Sequence, residues 1–101
     1  MIDDLSNTKI AEQLLRFPCF ADAKKMNRAP EDTLAIIHEA YDNENLNEGQ
    51  DMAFEAVLYF NKYIDQFDLR RALSVWGADD LKVFQDMTAE NHSQDDKPKD
   101  Q

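Results

Sequence analysis

The stretch from Asn47 to Phe67, NEGQDMAFEAVLYFNKYIDQF, decides how the rest of the chain is read. Met52, Ala56, Tyr59, Phe60, Tyr63, Ile64 and Phe67 recur at spacings of three and four residues, and Ala53, Val57 and Leu58 widen the stripe. That period gathers apolar side chains on one face of a helix. The stretch contains no Pro, and its single glycine, Gly49, lies near the start. Asn47 followed by Gln50 has the pattern of a capping box, with Asn in place of the usual Ser or Thr. A helix that is apolar over much of its circumference needs neighbours on more than one side, so it is expected in the middle of a bundle. Its remaining face, Glu48, Asp51, Glu55, Lys62 and Asp65, is charged at the same spacing.

Upstream, Ala29-Pro30 opens a helix with Pro at its first position, where the missing N–H costs nothing, and Glu31 and Asp32 sit where the helix dipole favours anions. Leu34, Ile37 and Tyr41, with Ile36 and Ala40, form its expected buried stripe. It dissolves in DNENLNEG, whose Asn and acidic residues favour caps and turns. Further upstream, a first helix is expected from Ser6 or Asn7 through Phe17, carrying Ile10, Ala11, Leu14 and Phe17 on one face and stopped by Pro18. Between them, CFADAKKMNRA is expected as a loop or short helical turn whose cations Lys24, Lys25 and Arg28 pair with acidic residues elsewhere.

Downstream, Asp68 caps a short helix, LRRALSVW, and Gly77 stands where a left-handed residue would end it. A last helix starts at Asp79 or Asp80 and turns Leu81, Val83, Phe84 and Met87 inward. From Ala89 the chain has no large apolar residue to offset its ordering entropy, so disorder is expected. The expectation is an all-α fold: a compact bundle of four to five helices over residues 1–88, with a disordered acidic tail over 89–101. No internal repeat and no strand-like alternation is evident.

With 101 residues and 43% hydrophobic content, the chain suits one modest core. Its longest apolar run is far below the roughly 18 to 20 residues that span a bilayer, and MIDDLSNTK lacks the basic start of a secretory signal. A soluble cytoplasmic protein is expected, consistent with the lone Cys19, which has no internal disulfide partner. Flanked by Pro18 and Phe20 in RFPCF, Cys19 fits a small core residue better than a nucleophile.

Few patterns in the chain point to catalysis. Only Gly49 and Gly77 are glycines, so a Gly-rich phosphate loop and a G-x-S-x-G turn are both excluded. His38-Glu39 begins like a zinc-protease motif, but Asp42 occupies the place of the second histidine. The Asn43 loop alternates oxygen-bearing side chains, yet counting from Asn43 puts Glu48 where a calcium loop needs Gly and Phe54 where it needs a bidentate Glu. Glu39, Asp42, Asp51 and Glu55 lack the Glu-x-x-His pairs of carboxylate-bridged di-metal bundles. Leu69 to Thr88 has the length of a helix-turn-helix unit, but Asp79, Asp80 and Asp86 give its second helix the wrong sign for DNA. Neither an enzyme nor a cofactor or metal site is expected, and Trp76 is expected as a core anchor.

The charge distribution carries the functional expectation. Net charge is −10, and residues 31–66 hold nine acidic residues against one basic. Tyr41, Asp42, Glu44, Glu48, Asp51 and Glu55 fall in this block, with Tyr59 or Tyr63 at its border. Carboxylates steer a cationic partner while aromatic rings supply contact area. A non-enzymatic protein that captures a basic protein partner is therefore expected, as an inhibitor, an immunity-type protein or a nucleic-acid mimic. A nuclease or nucleic-acid-binding protein would fit as partner, with no direct contact to nucleic acid or membrane. The alternative is a structural or regulatory module working through a homodimer or partner assembly, with the acid incidental.

Overall fold

A computed structural model describes the backbone of residues 4–95 and the side chains of residues 8–90. In chain order it contains α1 (Asp4–Leu14), a 3₁₀ turn (Pro18–Phe20), α2 (Ala21–Lys25), α3 (Pro30–Asp42), α4 (Glu48–Phe60), α5 (Leu69–Val75) and α6 (Ala78–Asp95), and no strand among the described residues. The all-α expectation is met. The helices number six rather than four or five because the basic segment after Pro18 forms a helix of its own.

Local chemistry fixes most of the helix starts. Pro30 takes the first position of α3 behind Ala29. The α4 capping box forms as expected: Gln50 N–H donates to Asn47 Oδ1 at 2.8 Å, and Asn47 N–H donates to Gln50 Oε1 at 3.2 Å. Asp68 caps α5 by accepting from Arg71 N–H at 3.1 Å. The α-helical part of α1 ends at Leu14, and the tighter bonds Arg16 N–H to Gln13 O and Phe17 N–H to Leu14 O carry the chain to Pro18.

Three helix ends depart from expectation. The central helix stops at Phe60, seven residues short of Phe67, because Lys62 adopts a left-handed φ of 66°. Lys62 N–H then bonds Tyr59 O and Tyr63 N–H bonds Leu58 O, a Schellman ending. Helix α3, which gives way in DNENLNEG as expected, is closed by the same motif, with Glu44 at φ 59°, Glu44 N–H on Tyr41 O and Asn45 N–H on Ala40 O. Gly77 is not left-handed; it precedes α6, and its carbonyl accepts from Leu81 N–H. Helix α6 itself continues through Asp95, past the expected start of the tail at Ala89, while residues 96–101 lie outside the described residues.

Helix α4 supplies the middle of the core, with Met52, Ala53, Phe54, Ala56 and Val57 all buried against Ile10, Leu14 and Phe17, Leu34 and Ile37, Ala72 and Trp76, and Met87. Phe54 was not on the expected stripe. It faces α3, where Tyr41 lies 4.8 Å from its ring centre and His38 5.8 Å. In compensation, Tyr59 and Tyr63 are exposed, as is Ile36 on α3. Phe67 leaves the helix but keeps its place in the core, stacking on Trp76, Phe84 and Tyr59 at 6.0, 5.4 and 6.0 Å.

Trp76 is a core anchor, buried on Phe17 at 5.6 Å, and its indole N–H donates to Gly49 O at 3.0 Å. With Phe67 against Tyr59 at one end and Trp76 against Gly49 at the other, α5 lies antiparallel along α4. The 3₁₀ turn locks onto the same corner. Cys19 N–H donates to Asp80 Oδ1 at 3.1 Å, and Gln50 Nε2 donates to Cys19 O at 2.8 Å. Burial, and then the charge of Asp80, push the Cys19 thiol up to about 12, so it stays protonated at neutral pH and is a poor nucleophile.

Candidate functional site: an acidic ridge on the central helix

Glu48, Asp51 and Glu55 succeed one another at three- and four-residue steps on α4, so they share one ridge, and Tyr59 extends it by a further turn. The capping box sets where this ridge begins. The Schellman ending at Lys62 sets where it stops. On one side the end of α3 brings in the aromatic border: Tyr41, held on Phe54, donates its hydroxyl to Glu55 Oε2 at 2.9 Å. Asp42 lies next to it, 3.6 Å from His38 Nε2, and Glu44 follows in the turn. Glu44, Glu48, Asp51 and Glu55 thus act on one another's surroundings beside Tyr41, and Asp42 joins this face at its border, through Tyr41 and His38.

Asp51 feels its charged neighbours. Partial burial, then the negative charges of Glu55, Glu48 and Glu44, raise Asp51, opposed by Arg71. Burial, the hydrogen bond to Glu55 and the charges of Glu55, Asp51 and Asp42 push Tyr41 up to about 12. The tyrosine hydroxyl is therefore a proton donor throughout the physiological range.

Arg71 is the functional neighbour that sequence reasoning missed. Its Nη2 lies 2.9 Å from Glu48 Oε2, and the ion pair raises the guanidinium further. It stands 23 residues from Glu48, and only the antiparallel packing of α5 on α4 brings it there. A charge count along the sequence had no means of finding it. The ridge carries five carboxylates against this one guanidinium.

Searches against known protein families, curated proteins and solved structures find no match. The functional reading consequently rests on geometry and charge. Among the described residues no three His, Cys, Asp or Glu side chains converge as a metal site, and no helix is long and apolar enough to cross a membrane. The basic cluster differs from expectation: Lys24, Lys25 and Arg28 make no ion pair or side-chain hydrogen bond among the described residues. Among the described residues, Arg71 is the one Arg or Lys ion-paired with the ridge.

Proposed function

We propose that this chain is a non-enzymatic binding protein whose acidic ridge captures a basic protein partner, in the manner of an inhibitor, an immunity-type protein or a nucleic-acid mimic. The observation that carries the reading is the grouping of Glu44, Glu48, Asp51 and Glu55, with Asp42 at its border beside Tyr41, and Arg71 as their one ion-paired Arg or Lys among the described residues. Asp51, raised in part by the charges of Glu55, Glu48 and Glu44, gains from an incoming cation for the same electrostatic reason. Tyr41 and Tyr59 supply aromatic contact area at the border of that charge, the combination enriched where interfaces bind tightly. A nuclease or another nucleic-acid-binding protein has the cationic surface such a face would complement.

Affinity capture from the native cell tests this with two baits, the wild-type chain and a Glu48→Lys, Asp51→Lys, Glu55→Lys variant. Basic proteins held by the first bait, lost on the second and released as salt rises are the expected result. Equal retention on both baits would sink the proposal. The second reading, a homodimer or partner-assembly module, draws on exposed Tyr63, Leu69 and Leu73. It predicts concentration-dependent association that is indifferent to those three substitutions, which sedimentation would reveal.

A further inference from the structure

A second surface lies apart from the ridge, where the end of α2 meets the first half of α3. Ala23, Met26, Arg28, Thr33, Ile36 and Ile37 line a notch of about 120 Å³. Met26 is 58% exposed and Ile36 49%, whereas Thr33 and Ile37 are buried and form the floor. Asn27, at φ 55°, ends α2 in the left-handed region and turns the chain toward Arg28 at the rim. The fold therefore leaves two large apolar side chains in water around an indentation instead of closing over it.

Size and charge together limit the occupant. Pockets that engulf small molecules run to roughly 300–1,000 Å³, so this notch suits one bulky side chain projecting from a larger partner. Met26 can adjust to the shape of such a side chain through its flexible thioether. Among the described residues Arg28 is the only charged one lining the notch, and Lys24 and Lys25 flank it on α2. All three cations lack an ion partner among the described residues. Asp22, Glu31 and Asp32 balance them to a local sum of zero over residues 22–32, on a chain of net charge −10. An anionic partner thus meets far less repulsion here than at the ridge, and a free planar guanidinium offers its carboxylates bidentate contacts.

We propose that this notch seats one apolar side chain of an acidic peptide segment from a partner protein, with the segment's carboxylates on Arg28 and the flanking Lys24 and Lys25. The site is independent of the ridge, and its cations have no ion partner among the described residues where the ridge presents carboxylates. The test is a nuclear magnetic resonance titration of the full chain with a short synthetic peptide of Asp and Glu around a central Leu-Phe pair. Shifts confined to the six lining residues and the flanking Lys24 and Lys25 are expected, with binding weakened roughly tenfold or more by Arg28→Glu and by Ile36→Asp. Both side chains are exposed, so melting curves should show the fold intact; Met26→Glu serves as a second apolar-rim variant. Equal binding of the Asn/Gln analogue of the peptide overturns the proposal, as does the absence of shifts at millimolar peptide. So does seating of sodium dodecanoate where the peptide fails, which would make the notch an amphiphile site. Broadening of these six resonances as the protein alone is concentrated would assign the notch to a second copy of the chain and also overturn it.

Discussion

Lys62 holds a left-handed backbone at φ 66° at the end of the central helix, a conformation that costs an L-residue roughly 1–2 kcal/mol and a glycine almost nothing. Its side chain is exposed and makes no ion pair, so Lys62→Gly removes strain without removing a contact. The variant is expected to gain about 1 kcal/mol in urea unfolding, tempered by the greater freedom of Gly in the unfolded chain. A loss of stability would show that the Schellman ending is not strained. Gly77→Ala is the paired control: nothing lies within 4 Å of an added Cβ, and the φ is not positive, so no penalty is expected. Tyr41 offers a titration at the same scale. Its hydroxyl is pushed up to about 12 by burial and by Glu55, against about 10 for a free phenol. Because the folded value is the higher one, its contribution to stability is fully present below about pH 10 and is lost as pH rises through 12. Ultraviolet difference titration should show one tyrosine ionising last, and Glu55→Gln should bring it down; an unchanged titration would rule out the Tyr41–Glu55 coupling.

Among the helices, what could be read from the residues was whatever local chemistry settles. Pro30, the Asn47–Gln50 box and Asp68 each satisfy or remove backbone donors within one turn, and each marks its helix start. The ends were harder to place, because Lys62 and Glu44 terminate helices in a conformation that their residue types do not advertise. The candidate face was legible as a charge block at helical spacing, while its cation Arg71 came from a distant helix and was not. Burial on α4 was misplaced for a similar reason: periodicity shows that a stripe exists, and only the neighbours show how far it extends. Phe54 is buried by α3 on one flank, and Tyr59 faces water on the other. The energetic weight of the helix therefore shifts toward its middle. Met52 has no exposed surface, so Met52→Ala should cost about 2–5 kcal/mol through the cavity it leaves. Phe60 lies at the helix end and is only half-buried, its ring tilted against Phe84 at 5.3 Å, and Phe60→Ala should cost less than the roughly 3–5 kcal/mol of a fully buried Phe. Chemical denaturation of the two variants orders them, and a larger loss at Phe60 would place the centre of the core nearer the helix end.

Across the whole molecule, one helix carries both the core and the acidic face, and the two make opposite demands on stability. Burial of Met52, Ala53, Phe54, Ala56 and Val57 holds α4 in place. Glu48, Asp51 and Glu55, one turn apart on its outer side, repel one another, and like charges at this spacing cost roughly 0.2–0.5 kcal/mol per pair. The Asp51 carboxyl is raised first by partial burial and then by the charges of Glu55, Glu48 and Glu44, with Arg71 opposing them. The sign follows directly: a carboxyl raised in the folded state contributes stability that is present at acid pH and lost as pH rises through its folded value. At neutral pH the ionised Asp51 is therefore a burden on the fold, which the nearby Arg71 eases. Replacing the three with their amides, Glu48→Gln, Asp51→Asn and Glu55→Gln, keeps side-chain size and leaves an acceptor for the Tyr41 hydroxyl. The amide variant should melt at a higher temperature than the wild type in low salt, by a few degrees if the relief is about 0.5–1 kcal/mol. The screening length falls from about 10 Å at 0.1 M salt to about 3 Å at 1 M, so added salt should raise the wild type more than the variant and close the gap. A variant that melts lower at every salt concentration would mean that the Glu48–Arg71 pair outweighs the repulsion, and the ridge would then be a stabilising element of the fold.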